Sequence, residues 1–277
     1  MVPTTAAERL IVGDSVQLWV CRNEDLSDAQ AVDLERRWLD ERERATARRF
    51  VFDHDRGQYL VAHALVRRVL ALHTGVAENQ LGFWRSHRGR PFLEPPVGGW
   101  PFEDEGIDFN LSHTRGVNVI GVTSHRRVGV DVERLDREDV MTIDAVSEAF
   151  SPEEQQWLAG LPEGARRRGV LRLWTLKEAY AKARGLGLAL PFDSFAFALD
   201  GERLRSFRPP RDDLGGRWQF VELEPMASTL LAAAVEVVGP DIPEVHLRTG
   251  FPWSPEAPLV LDMPVRADLE SYPRGLR

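Results

Sequence analysis

The sequence predicts a mixed α+β fold, and three observations carry that expectation. Residues 56–73 and 166–184 place apolar side chains at helical spacing. Residues 107–113 and 128–133 alternate apolar and polar positions as half-buried strands do, and 117–122 form a short apolar run. Clusters of glycine and proline separate these segments.

Taken in order, residues 15–21 read as a first strand. Residues 28–50 read as one helix with Ser27 as N-cap. In 56–73, Tyr59, Leu60, His63, Ala64, Val66, Arg67 and Leu70 follow helical spacing, and Gly75 supplies the stop. Residues 82–92 contain a strand and a turn at Gly89-Arg90-Pro91, and 95–106 form a loop. A short connection at 123–127 would let 117–122 pair with 128–133. Ser151-Pro152 starts a helix, with serine as N-cap and proline at the first helical position. The helix 166–184 ends at Gly185 and Gly187. Residues 192–199, 217–223 and 230–238 read as further strands. Residues 239–277 hold seven prolines without periodicity and read as a surface-wrapping or partly disordered tail. No internal repeat is visible between the halves.

Composition narrows the function classes. With 43% hydrophobic and 28% charged residues, the chain has the balance of a soluble globular protein. No run approaches the ~20 apolar residues that cross a bilayer, and the first residues lack the pattern of a secretory leader. A single cysteine, Cys21, excludes internal disulfides and thiolate metal clusters, which favours a reducing, cytoplasmic setting. A net charge of −8 argues against a general nucleic-acid binder. Arginines nonetheless crowd the N-terminal part. Most have acidic neighbours and read as a solvated face, while a minority suit a phosphorylated small molecule.

Three motifs carry candidate chemistry. In Val128-Gly129-Val130-Asp131-Val132-Glu133, a strand would turn three valines one way and Gly129, Asp131 and Glu133 the other. In the helix, Trp174, Glu178 and Lys182 share one stripe. Taken singly, the first is a solvated strand face and the second a surface ion pair. Together, three carboxylates from a strand and a helix make an oxygen-only set of the kind magnesium prefers. Gly129 leaves room for a close approach to the backbone. The third motif, Phe109-Asn110-Leu111-Ser112-His113, ends a strand. Adjacent strand residues point opposite ways, so Ser112 and His113 are a poor nucleophile–base pair and suit phosphate contact better. A histidine satisfied within a local turn is the plainer alternative.

These blocks, with Gly89-Arg90-Pro91 and Trp174-x-x-Lys177-Glu178-Ala179-x-x-Lys182-x-x-Gly185-x-Gly187-Leu188, match the 4'-phosphopantetheinyl transferases of the surfactin-synthetase-activating type in order and spacing. The chain is identified as a member of that family over residues 44–190. The resemblance implies two similar subdomains about a pseudo-twofold axis, each a mainly antiparallel sheet on a long helix. These would be 1–125 on the coenzyme A side and 126–240 with the metal and catalytic helix, followed by the tail 241–277.

It implies transfer of phosphopantetheine from coenzyme A to a serine of an apo acyl or peptidyl carrier protein, with release of 3',5'-ADP. Asp131, Glu133 and Glu178 would hold Mg²⁺ (or Mn²⁺), and Glu178, Lys182 and Asp131 would be catalytic. Arg90, Ser112, His113, Arg49 and Lys182 would contact coenzyme A. The chain would act as a cytoplasmic monomer, without nucleic acid or membrane. Trp174 lines the site or belongs to the core, and Lys177, about 100° from Glu178 on a helix, has a packing or carrier-side role. Relatives carry a basic residue at the position of Thr46; Arg44, Arg48 or Arg49 would replace it. The rival readings are a magnesium-dependent phosphoesterase acting on coenzyme A or a related nucleotide, and a non-catalytic carrier-protein binding module.

Overall fold

The computed structural model describes residues 15–95, 106–136, 145–253, 264–265 and 269–270. Contacts divide the chain into two compact units. One comprises residues 1–125 and 245–264, the other 126–244 and 265–277.

The first unit is built on a sheet with strand order β12-β11-β1-β5-β4. Its strands are β1 (Val16–Arg22), β4 (Ile107–Thr114), β5 (Val117–Ser124), β11 (Val245–Thr249) and β12 (Pro264–Val265). β5 runs antiparallel to both β1 and β4, and β11 lies parallel to β1. The hairpin β2 (Gly82–Arg85) and β3 (Pro91–Glu94) closes through Gly89, whose φ of +85° suits a residue without a side chain.

On the sheet lies α3 (Asp53–Thr74), ended by Gly75 in the left-handed conformation. Leu60, Ala64, Leu65 and Val69 of α3 share an apolar core with Trp19, Phe109, Ile120 and Val122 of the sheet. The expected helix over 28–50 is two, α1 (Asp28–Trp38) and α2 (Glu41–Ala47). Leu39-Asp40 breaks it because Asp40 is extended and caps α2, its side chain accepting from the Glu43 amide.

A cation of α3 is wholly buried inside this unit. Arg67 of α3 has 0% exposure, bonds Glu43 through Nε at 2.8 Å, and donates to the carbonyls of Glu78 and Leu81.

The second unit has strand order β13-β9-β10-β6, all antiparallel, from β6 (Val128–Arg134), β9 (Trp218–Leu223), β10 (Thr229–Glu236) and β13 (Leu269–Glu270). A separate hairpin joins β7 (Ala196–Asp200) and β8 (Arg203–Arg208). The helices are α4 (Pro152–Ala159), capped by Ser151, and α5 (Glu163–Ala183). α5 ends in a reciprocal pair of bonds, Leu186 N–H to Ala181 O and Gly185 N–H to Lys182 O, with Gly185 at φ +67°. Tyr180 is wholly buried among Phe195, Phe207, Trp218 and Phe220, and its hydroxyl donates to Asp213 at 2.6 Å.

Three expectations require correction. β5 and β6 do not pair: β5 lies between β1 and β4, while β6 edges the other sheet beside β10. The connection at 123–127 passes from one unit to the other at His125 instead of closing a hairpin. The residues after 239 include β11, which completes the first sheet beside β1; its Val-His-Leu-Arg-Thr alternation is only five residues long. β8 was not expected, because its arginines leave only Leu204 and Phe207 buried. Most of the expected loop over 95–106 falls outside the described residues.

Candidate active site

The second unit brings its candidate residues together through a backbone contact. A Cβ at Gly129 would collide with the Ala179 carbonyl oxygen and the Ala183 backbone nitrogen. α5 therefore rests directly on β6 at this point. Gly129 admits a helix, where the sequence reading left space for a ligand.

Asp131 and Glu133 lie on the same face of β6 as Gly129, and Glu178 and Lys182 flank Ala179 and Ala183 on α5. Lys182 Nζ meets Asp131 Oδ1 at 2.6 Å. The lysine thus reaches across to the strand carboxylate and makes no ion pair with Glu178 one turn away. Asp131 is 4% exposed and Glu178 8%, so neither is the solvated charge that its isolated motif suggests.

Glu178 is electrostatically strained. Burial, first, and the neighbouring charges of Asp131 and Glu133 raise its carboxyl to about 7, against the opposing pull of Lys182. Its Oε1 is buried without a hydrogen-bond partner among the described residues. A hard cation would satisfy both conditions, and the donor set is all oxygen, so the chemistry of these residues fits magnesium. The fit lies in the chemistry of the donors. Among the described residues, no three His, Cys, Asp or Glu side chains already form a metal-binding cluster.

Lys177, next to Glu178 on α5, is directed into the core of the second unit. Lys177 has 0% exposure, pairs with Glu154 Oε2 at 2.8 Å, and donates to the carbonyls of Phe192 and Phe195 at 2.6 and 2.8 Å. Its Nζ lies 4.1 Å from the Phe195 ring centre. Burial lowers its ammonium to about 8 despite Glu154. Trp174 packs edge-on to Phe192. Lys177 is thus held by packing and hydrogen bonds, and the partly buried Trp174 packs against the core.

In the first unit, Arg90 is buried beside the hairpin turn, with Nη2 donating to Asp108 Oδ2 at 2.6 Å and its guanidinium over Phe92. Ser112 is buried and His113 exposed, the opposed facing expected of neighbours on β4. Arg49 is exposed on the segment between α2 and α3. Arg44 and Arg48 both bond Glu41.

A cavity of about 520 Å³ opens beside Thr46, lined also by Arg42, Tyr59, His63, Trp84, Arg85 and Asn110. Sequence reasoning missed this cavity. Asn110 stood inside a motif it quoted and is the signal that could have led there. The side chain of His63 stacks on Tyr59 at 3.8 Å, and loss of hydration holds its imidazole down at about 4.

Known proteins add an independent comparison. The model of the 4'-phosphopantetheinyl transferase superfamily matches residues 127–235, and that of the N-terminal region of 4'-phosphopantetheinyl transferases matches 27–125. The 4'-phosphopantetheinyl transferase HetI of Nostoc sp. is 29% identical over 247 residues, spanning 89% of this chain and 92% of that relative. The 4'-phosphopantetheinyl transferase gsp of Aneurinibacillus migulanus is 29% identical over 53% of this chain and 56% of its own length. A Bacillus subtilis 4'-phosphopantetheinyl transferase is 28% identical over 56% of this chain and 64% of its own. The two family matches adjoin where the chain passes from its first compact unit to its second, and the match over 127–235 spans both β6 and α5. This chain belongs to the 4'-phosphopantetheinyl transferase superfamily, and it is a transferase.

Proposed function

We propose that this transferase moves 4'-phosphopantetheine from coenzyme A to a serine hydroxyl of an apo acyl or peptidyl carrier protein, as a monomer of the surfactin-synthetase-activating type. The serine oxygen forms a bond to the β-phosphorus of coenzyme A, the bond from that phosphorus to the bridging oxygen breaks, and 3',5'-ADP leaves. The observation that carries this reading is the meeting of Asp131, Glu178 and Lys182 where α5 rests on β6.

Asp131, Glu133 and Glu178 would hold a magnesium ion, whose charge would offset that of the diphosphate. Lys182, partly exposed at 25% of its side chain, would meet a phosphate oxygen and stabilise charge on the leaving group. Glu178, whose Oε1 is buried without a partner among the described residues, is the residue proposed to receive the proton of the serine hydroxyl. Arg90, Ser112, His113 and Arg49 are the proposed phosphate contacts of the first unit, with the guanidinium of Arg90 held in place by Asp108.

The test is incubation with coenzyme A, Mg²⁺ and a panel of apo carrier proteins, followed by weighing the carrier. The expected result is a gain of one phosphopantetheine, reduced at least ~100-fold in rate by Glu178→Gln or Asp131→Asn. Hydrolysis of coenzyme A without carrier modification would replace this reading by the phosphoesterase. Binding without either reaction would replace it by the non-catalytic module.

A further inference from the structure

The buried pair Lys177–Glu154 stands one residue from Glu178 and has no part in the chemistry proposed above. Its geometry is that of a clamp. Lys177 grips three points outside its own helix: the Glu154 carboxylate in the first turn of α4, and the carbonyls of Phe192 and Phe195. Glu154 is equally committed. Its Oε2 accepts from the Ser151 amide at 2.9 Å and its Oε1 from the Phe197 amide at 2.8 Å. Both side chains have 0% exposure, so the interaction is unscreened by water.

We propose that Lys177 and Glu154 are positioning residues that fix the rotation of α5 about its own axis, and so aim Glu178 and Lys182 at β6. Successive helical residues are about 100° apart, so holding Lys177 at one azimuth sets where Glu178 points. The opposite contact, Gly129 against the α5 backbone, sets the distance of the helix from the strand but offers no side chain to resist rolling. Aromatic neighbours such as Phe195 and Phe207 tolerate small shifts by repacking. A buried ion pair does not, because any roll leaves a charge without its partner.

The first unit uses the same device. Arg67 of α3 pairs with Glu43 and donates to two backbone carbonyls, and it lies over the Phe83 ring. Glu43, like Glu154, is the third residue of the short helix before the long one. An arginine therefore does in one unit what Lys177 does in the other.

This inference rests on the transferase reading above, and its test separates the two. Carrier modification by the wild-type protein tests the function. Melting, kcat and the KM for coenzyme A are then compared for Lys177→Met, Lys177→Arg and the paired variant Lys177→Met/Glu154→Gln, which leaves no unpaired charge. The paired variant is expected to melt within about 5 °C of wild type, with KM within about threefold and kcat reduced at least about tenfold. Lys177→Arg is expected to recover kcat to within about threefold of wild type. A folded paired variant with wild-type kcat would overturn the proposal and leave the pair a role in stability alone. Should the paired variant fail to fold, Lys177→Arg decides: a folded protein with wild-type melting and a kcat as low as that of Lys177→Met would overturn it.

Discussion

The two units solve one packing problem twice and put charge to different ends. Each lays a long helix, α3 or α5, on a sheet of mainly antiparallel strands. Each holds a wholly buried cation of that helix against a carboxylate of the short helix before it. In the first unit the helix meets the sheet through Leu60, Ala64, Leu65 and Val69, a cushion of side chains. In the second, Gly129 removes the cushion and the helix backbone touches the strand. That single absence draws Lys182 within 2.6 Å of Asp131 and places Glu178 in the same field. The shared frame supplies rigidity. Chemistry enters where the frame is pulled tight.

The comparison breaks most sharply at its glycine. Gly129→Ala places a methyl group on the α5 backbone, which cannot move aside as a side chain would. It is expected to cost about 4 kcal/mol or more, or to prevent the second unit from folding, as read from urea unfolding. Next comes the buried cation of the first unit. Arg67→Met takes the wholly buried guanidinium from the partly buried Glu43 and from two backbone carbonyls and should cost about 3–5 kcal/mol. Because no proposed catalytic residue adjoins Arg67 in sequence, kcat of the folded fraction should stay within about twofold, in contrast to Lys177→Met.

Acid should separate the units by sign. His63 of the first unit binds its proton near pH 4 when folded, against 6.5 for an ordinary imidazole, so the unfolded chain holds more protons between those values. The stability from His63 is whole above pH 6.5 and is lost as pH falls to 4, by at most about 3 kcal/mol. Glu178 of the second unit behaves oppositely. Its folded carboxyl, near 7, lies above the ordinary 4.5, so ionising it costs stability at high pH and the cost disappears as pH falls through 7 to 4.5. Hydrogen exchange in the metal-free protein should show α3 losing protection over this range while α5 holds or gains it. Loss of protection in α5 across pH 7 to 5 would refute the strained carboxylate. The smallest effect tests the cushion itself. Gly57 on α3 faces open space, so Gly57→Ala should raise stability by about 0.5–1 kcal/mol, measured by thermal melting.

Much of this was legible in the residues. Alternation in 128–133 gave a strand with Asp131 and Glu133 on one face, and helical spacing gave Glu178 and Lys182 on one stripe. The bounds read for 56–73, 107–113, 128–133 and 166–184 fell within a few residues because strongly periodic segments state their own secondary structure, whereas 192–199 opens with a 3-10 turn before its strand. Other features were not legible. Spacing along one helix suggests a Glu178–Lys182 pair, but only the tertiary fold shows that the lysine reaches Asp131 instead. Gly129 signals a close approach without naming what approaches. The repeated clamp escaped notice because one copy is Asp40-x-x-Glu43 with Arg67 and the other Ser151-x-x-Glu154 with Lys177. Their resemblance lies in hydrogen-bond roles, while the residue letters differ. Within each copy the basic residue follows its glutamate at nearly the same separation, and a search for that separation would have found the pair.

The bare contact at Gly129 has a consequence for how the protein tolerates change. Distances that depend on side chains drift as rotamers exchange, and they alter with each hydrophobic substitution nearby. Here the gap between strand and helix is set by main chain meeting main chain, like the jaws of a caliper closed on a hard stop. That gap does not depend on the size of the apolar residues elsewhere around α5, while Lys177 and Glu154 hold the rotation that aims its carboxylate.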